Sequence, residues 1–160
     1  MSLERDLERE IKKKYKKAKK RILNKLGNFV VQMILDRTRV DHRRVGIAGG
    51  NRVKIEPLKQ STISRRRRVA GLHPSTSPET SNLTMKGDML NSLTFNTVPS
   101  GDNFKLTVYF NDPKMSFRAD VLIAGSDKMK PRPFMDIGRT ELKKIEKLAE
   151  ELIQKEIDKL

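Results

Sequence analysis

Leu83-Thr84-Met85-Lys86-Gly87-Asp88-Met89-Leu90-Asn91-Ser92-Leu93-Thr94-Phe95 is the stretch on which the reading of this chain turns. Lys86-Gly87-Asp88 makes a polar turn. Gly87 suits a backbone position with positive φ, and Asp88 suits the cap of a short helix. Met89, Leu90 and Leu93 give that helix an apolar side. From Ser92 to Val98 the pattern becomes β-rich. The plain alternative is an ordinary turn leading into a strand.

Downstream, Leu93, Phe95 and Thr97 alternate with Thr94, Asn96 and Val98. Pro99-Ser100-Gly101-Asp102-Asn103 is a turn cluster. Phe104, Leu106, Val108 and Phe110 then alternate with polar positions, so 92–110 reads as a β-hairpin. Asn111-Asp112-Pro113 ends it. Met115 to Ala124 fits helix or strand; Ser116 as a cap and Gly125 as a stop favour a helix with Phe117, Val121 and Leu122 on its apolar face. Lys128 to Met135 contains Pro131 and Pro133, which suits an edge strand. Asp136 to Leu160 is a closing helix. Its apolar face holds Leu142, Ile145, Leu148, Ala149, Leu152, Ile153, Ile157 and Leu160, and it is expected to cover the sheet.

Upstream, 2–36 reads as one long helix with an apolar stripe: Leu3, Leu7, Ile11, Tyr15, Ala18, Ile22, Leu26, Phe29 and Met33. Gly27 is its weak spot. Such a helix spans roughly 50 Å, more than one domain of this size covers, so part of it projects or meets another subunit. Arg37 to Pro57 lacks periodicity and reads as a basic loop punctuated by Gly49-Gly50. Pro57 to Val69 reads as a short helix capped by Ser61 or Thr62 and closed by Arg65, Arg66, Arg67 and Arg68. Residues 70–82 are a Pro/Ser/Thr-rich connection. Together these elements make an α+β fold: a long N-terminal helix, a small antiparallel sheet built on a hairpin, and a C-terminal helix packed on the sheet. The division is a basic helical extension at 1–26 and a single domain at 27–160, with flexible loops near 38–56 and 70–82.

The charge is lopsided. Residues 1–72 hold 22 Lys and Arg against 7 Asp and Glu, whereas residues 73–160 hold 13 against 13. The whole excess of +15 therefore lies in the first part, which points to a polyanion or an acidic partner surface met by that part. Lys12, Lys13, Lys16, Lys17 and Lys20, with Arg65 to Arg68, are the candidate contacts; a solvated basic face is the bland alternative. The chain has no cysteine, which excludes disulfides and Cys-based zinc sites. Its N-terminus lacks an apolar signal core, and no run approaches a membrane span. His42 and His73 fall in expected loops, so neither a histidine metal centre nor a Ser/His/Asp or Cys/His pair has a rigid base. We expect no cofactor, no metal and no enzymatic activity.

The order of these segments resembles the phage tail-completion and neck proteins, the family that includes the Mu-like virion-morphogenesis proteins. The matched residues are Pro57-Leu58 with Thr62, then Arg65 to Arg68, then Lys86-Gly87-Asp88-Met89-Leu90-Asn91-Ser92-Leu93. Arg118-Ala119 through Gly125 and Pro131-Arg132-Pro133-Phe134-Met135 complete the series. The motif positions carried over are Gly87, Leu90, Ser92, Arg132, Pro133 and Phe134. Lys86 stands where the family has a small hydroxyl residue. Val121-Leu122-Ile123 replaces an aromatic-rich segment, and residues 1–26 lie outside the similarity. The resemblance implies a virion protein of the neck or tail junction, assembled in the host cytoplasm. Its copies would form a homo-oligomeric ring, a hexamer, around the DNA channel. Its partners would be portal, adaptor or other neck proteins and the tail tube or terminator, with no membrane. The alternative is a free basic nucleic-acid-binding module, which explains the charge but not the ordered motifs after Leu83.

Overall fold

The computed structural model describes residues 3–39, 45–54, 59–68, 88–100, 103–127 and 129–159. Gly87, the connection at 70–82 and both histidines lie outside these residues. The fold is α+β, with a long N-terminal helix, two small antiparallel hairpins and a C-terminal helix.

Helix α1 runs Leu3–Arg39, 37 residues, or about 55 Å at 1.5 Å per residue. It is the axis of the molecule, but its core-facing side is not the stripe expected from sequence. Gly27, Val30 and Ile34 are buried, whereas Ala18, Ile22, Leu26, Phe29 and Met33 are half-buried and Ile11 and Tyr15 exposed. The buried line lies one position, about 100°, further round the helix. Gly27 explains the choice: the hairpin packs directly against it. A Cβ there would sit 2.3 Å from the Phe95 ring. The weak spot of the helix is thus the seat of the sheet.

Residues 45–54, expected to be loop, form a hairpin of β1 (Val45–Ala48) and β2 (Asn51–Lys54). Gly49 and Gly50 have φ of 56° and 76°, the two positive values that a type I′ turn requires. Ile47 is buried, and its N–H donates to the Pro133 carbonyl at 2.7 Å. Helix α2 (Gln60–Arg68) follows. The N–H groups of Thr62 and Ile63 donate to the Lys59 carbonyl, so the helix begins before Ser61 and Thr62, and neither caps it.

Helix α3 is one turn, Asp88–Asn91, with Asp88 as its first residue rather than its cap. Met89 and Leu90 are buried, as their spacing predicted. Ser92 Oγ donates to the Met89 carbonyl at 2.8 Å, closing the turn into β3. Strands β3 (Leu93–Ser100) and β4 (Asn103–Phe110) pair antiparallel with Leu93 opposite Phe110 and Phe95 opposite Val108. The ladder extends to Ser100 opposite Asn103, two pairs beyond the expected strand end at Val98. Leu93, Phe110, Leu106 and Val108 face the core; Val98 and Tyr109 face out.

Helix α4 (Pro113–Ala124) resolves the helix-or-strand ambiguity. Its cap is Asp112, whose carboxylate accepts from the Lys114 N–H at 2.8 Å, with Pro113 in the first turn; Ser116 lies inside the helix. Gly125, at φ 80°, ends it. Ala119 is the buried position, and Phe117 and Val121, read as its apolar face, are exposed. The segment after Gly125 is not an edge strand. It makes one isolated bridge, Ser126 with Met129, and then continues without regular structure while Arg132 N–H donates to Leu122 O and Pro133 O accepts from Ile47 N–H. Two prolines leave few donors for a ladder, and these partners use what remains. Phe134, fully buried, stacks edge-to-face on Phe110 with centroids 6.4 Å apart.

Helix α5 (Arg139–Ile157) lies along α1, and its Ile145 reaches the same core as the hairpin. Arg37 meets Glu141 at one end, and Arg21 meets Glu156 at the other. Residue numbers rise on one helix as they fall on the other, so the two are antiparallel.

Candidate functional site

Arg37 holds the base of the molecule together. Its side chain is 8% exposed and that of Glu141 17%. Its Nη1 donates to both carboxylate oxygens of Glu141, at 2.8 and 2.6 Å. Its Nη2 donates to the Phe134 carbonyl and, at 2.9 Å, to that of Asp136. Glu141 Oε2 also accepts from the Gly138 N–H at 2.9 Å, satisfying a donor at the start of α5. In the sequence Arg37 looked like one more cation of a basic loop; it is a clamp inside α1. Its i,i+4 relation to the apolar Met33 was the available signal.

Beyond that clamp α1 becomes an arm. Arg21 pairs at 2.5 Å with Glu156, which lies one residue from the end of α5. Residues 3–20 therefore run past α5 for about 27 Å at the helical rise. Every side chain from Arg9 to Lys17 is exposed. Eight of the ten residues from 12 to 21 are Lys or Arg, and none is acidic. Lys12, Lys16 and Lys20 follow one i,i+4 line and Lys13 and Lys17 the next, so the five candidate lysines share one broad face. The opposite side carries Ile11 and Tyr15, 58% and 62% exposed. Lys19 Nζ sits 5.5 Å from the Tyr15 ring centroid, a cation–π contact.

The arginine run of α2 divides. Arg65, Arg67 and Arg68 are exposed, but Arg66 is buried. Burial, and next the neighbouring charge of Arg132, lower the Arg66 guanidinium from its ordinary value; burial does the same to Arg132. The structure thus brings together Arg66 and Arg132, members of two separate candidate groups. Of the motif positions, Leu90, Ser92, Pro133 and Phe134 build the core or hold its backbone.

Among the described residues no group of three or more His, Asp or Glu could hold a metal ion, and no helix is long and apolar enough to cross a membrane. What the surface offers is charge and uncovered apolar area. Besides the arm, Phe117 is 69% exposed on α4, and Leu142, Ile153 and Ile157 are about half exposed on α5. Comparison with protein-family models, curated proteins and solved structures found no match to this chain.

Proposed function

We propose that this chain is a structural building block of a phage neck or tail junction, assembling as a ring of six copies around the passage for DNA. The observation that carries the reading is the arm of α1: from Arg9 to Lys17, about 13 Å of helix, every side chain is exposed, with lysines on one side and Ile11 and Tyr15 on the other. Apolar positions that stay exposed on three helices suit a protein completed by neighbours. The lysine face, with Arg65, Arg67 and Arg68, suits sequence-neutral contact with phosphates, as a conduit needs, or with an acidic portal, adaptor or tail surface.

The test combines imaging and titration. Electron micrographs of the purified chain should show rings with an opening wide enough for duplex DNA. Duplex binding by the five lysines should fall with salt at a log–log slope of about −4.5, without sequence preference. The second reading, a free nucleic-acid-binding module, draws on the same eight cations but gives no role to the exposed apolar residues of α4 and α5. A monomer that binds duplex tightly at moderate salt would favour it and end the first.

A further inference from the structure

The exposed apolar flank of α5 has a definite shape. Leu142, Glu146 and Glu150 form one i,i+4 line, and Ala149, Ile153 and Ile157 form the adjacent one. Leu142, Glu146, Glu150, Ile153 and Ile157 are all exposed. The side of α5 that its own chain covers is a different one, centred on Ile145, Leu148 and Leu152. Leu142 to Ile157 spans about 22 Å of helix. The strip on the arm, exposed Ile11 and Tyr15 with half-buried Ala18 beside them, spans about 10 Å. The strip is bordered by lysines, and the flank carries Glu146 and Glu150, with Arg139 and Lys143 beside them toward the start of α5.

The arm cannot lie on its own α5. The two helices are antiparallel neighbours, tied at Arg21–Glu156 and Arg37–Glu141, and α1 continues as one helix past the Arg21–Glu156 tie at the end of α5. Two arms do not suit each other either, since each brings eight cations within ten residues. We propose that the arm of one copy docks on the α5 flank of the next. Ile11 and Tyr15 seat against Leu142, Ile153 and Ile157, and the lysines bordering the strip meet Glu146 and Glu150. The lysine face at Lys12, Lys16 and Lys20 stays outward. This proposal rests on the ring reading and gives it a direction: donor and acceptor patches differ, so the contact is head-to-tail and builds a closed ring or an open chain rather than a two-fold dimer. The α4 patch at Phe117 and Val121 is the poorer acceptor, because it covers one turn, about 6 Å, against about 22 Å on α5.

Two variants of the full chain test this. I11S/Y15S removes the arm's strip, and I153S/I157S removes the flank. All four residues are exposed, so both variants should fold, which circular dichroism checks. The wild type should assemble, and each variant alone should be monomeric, with association weakened by about a hundredfold or more. Mixed one to one, the variants retain a single good arm and a single good flank. The mixture should therefore stop at a heterodimer of about 37 kDa, twice the 18.4 kDa chain. Rings from the I11S/Y15S variant, or a mixture that stays monomeric, would overturn the docking and leave the ring reading standing. A monomeric wild type would overturn both.

Discussion

Replacing Arg37 by Met tests whether the clamp organises the fold. The substitution keeps most of the aliphatic stem and removes four hydrogen bonds: two to Glu141 at 2.8 and 2.6 Å, one to Asp136 O at 2.9 Å and one to Phe134 O. Breaking a buried ion pair from one side costs about 3–5 kcal/mol. The Glu141 side chain keeps 17% exposure and its bond from Gly138 N–H, so partial hydration lowers the cost to about 2–4 kcal/mol. The middle of that range corresponds to a loss of roughly 6–12 °C in Tm for a chain of this length. Urea unfolding of the wild type, Arg37→Met, Glu141→Gln and the double variant makes a double-mutant cycle. The coupling should be at least ~1.5 kcal/mol. A loss under ~1 kcal/mol for Arg37→Met, or no coupling, would refute the assignment of Arg37 as the clamp.

Four further outcomes follow from other contacts. Gly27→Ala should destabilise despite a helix-propensity gain of about 1 kcal/mol, because the new Cβ meets the Phe95 ring at 2.3 Å; adding Phe95→Leu should recover part of the loss in the same unfolding assay. Gly49→Asn should be nearly neutral, whereas Gly49→Val should cost about 1–2 kcal/mol, since nothing lies within 4 Å and only the positive φ opposes it. Phe134→Ala should cost about 3–5 kcal/mol and Phe117→Ser less than about 0.5 kcal/mol in the monomer, matching full burial of one and exposure of the other. Hydrogen bonding from Lys159, then from Arg21, holds the Glu156 carboxyl below its ordinary value of 4.5. A depressed carboxylate stabilises above its unfolded pKa and ceases to as the pH falls through the folded value. The Tm gap between wild type and Glu156→Gln should therefore close as the pH is lowered through the region below 4.5.

Three elements were legible because their periods are long. The 37 residues of α1, the 93–110 hairpin and α5 each repeat their pattern often enough to fix the element type. The face of α1 was not legible. From Phe29 to Leu35 nearly every residue is apolar, so spacing alone selects no side, and the approach of Phe95 to Gly27 makes the choice. Strands of four residues show too little alternation to be seen, and only Gly49-Gly50 marked the first hairpin. Phe117 and Val121 misled because helical spacing shows that apolar residues share a face and not that the chain covers it. The lysines of the arm were visible as composition. That Arg66 is buried, and that Arg37 is a clamp and no part of the basic surface, needed partners more than sixty residues away in sequence.

Native mass spectrometry of the full chain, without DNA or partners and over a range of concentrations, bears most directly on assembly through neighbours. A ring predicts one dominant species at a fixed multiple of 18.4 kDa, about 110 kDa for six copies. A single peak at 18.4 kDa that persists as the concentration rises would contradict it.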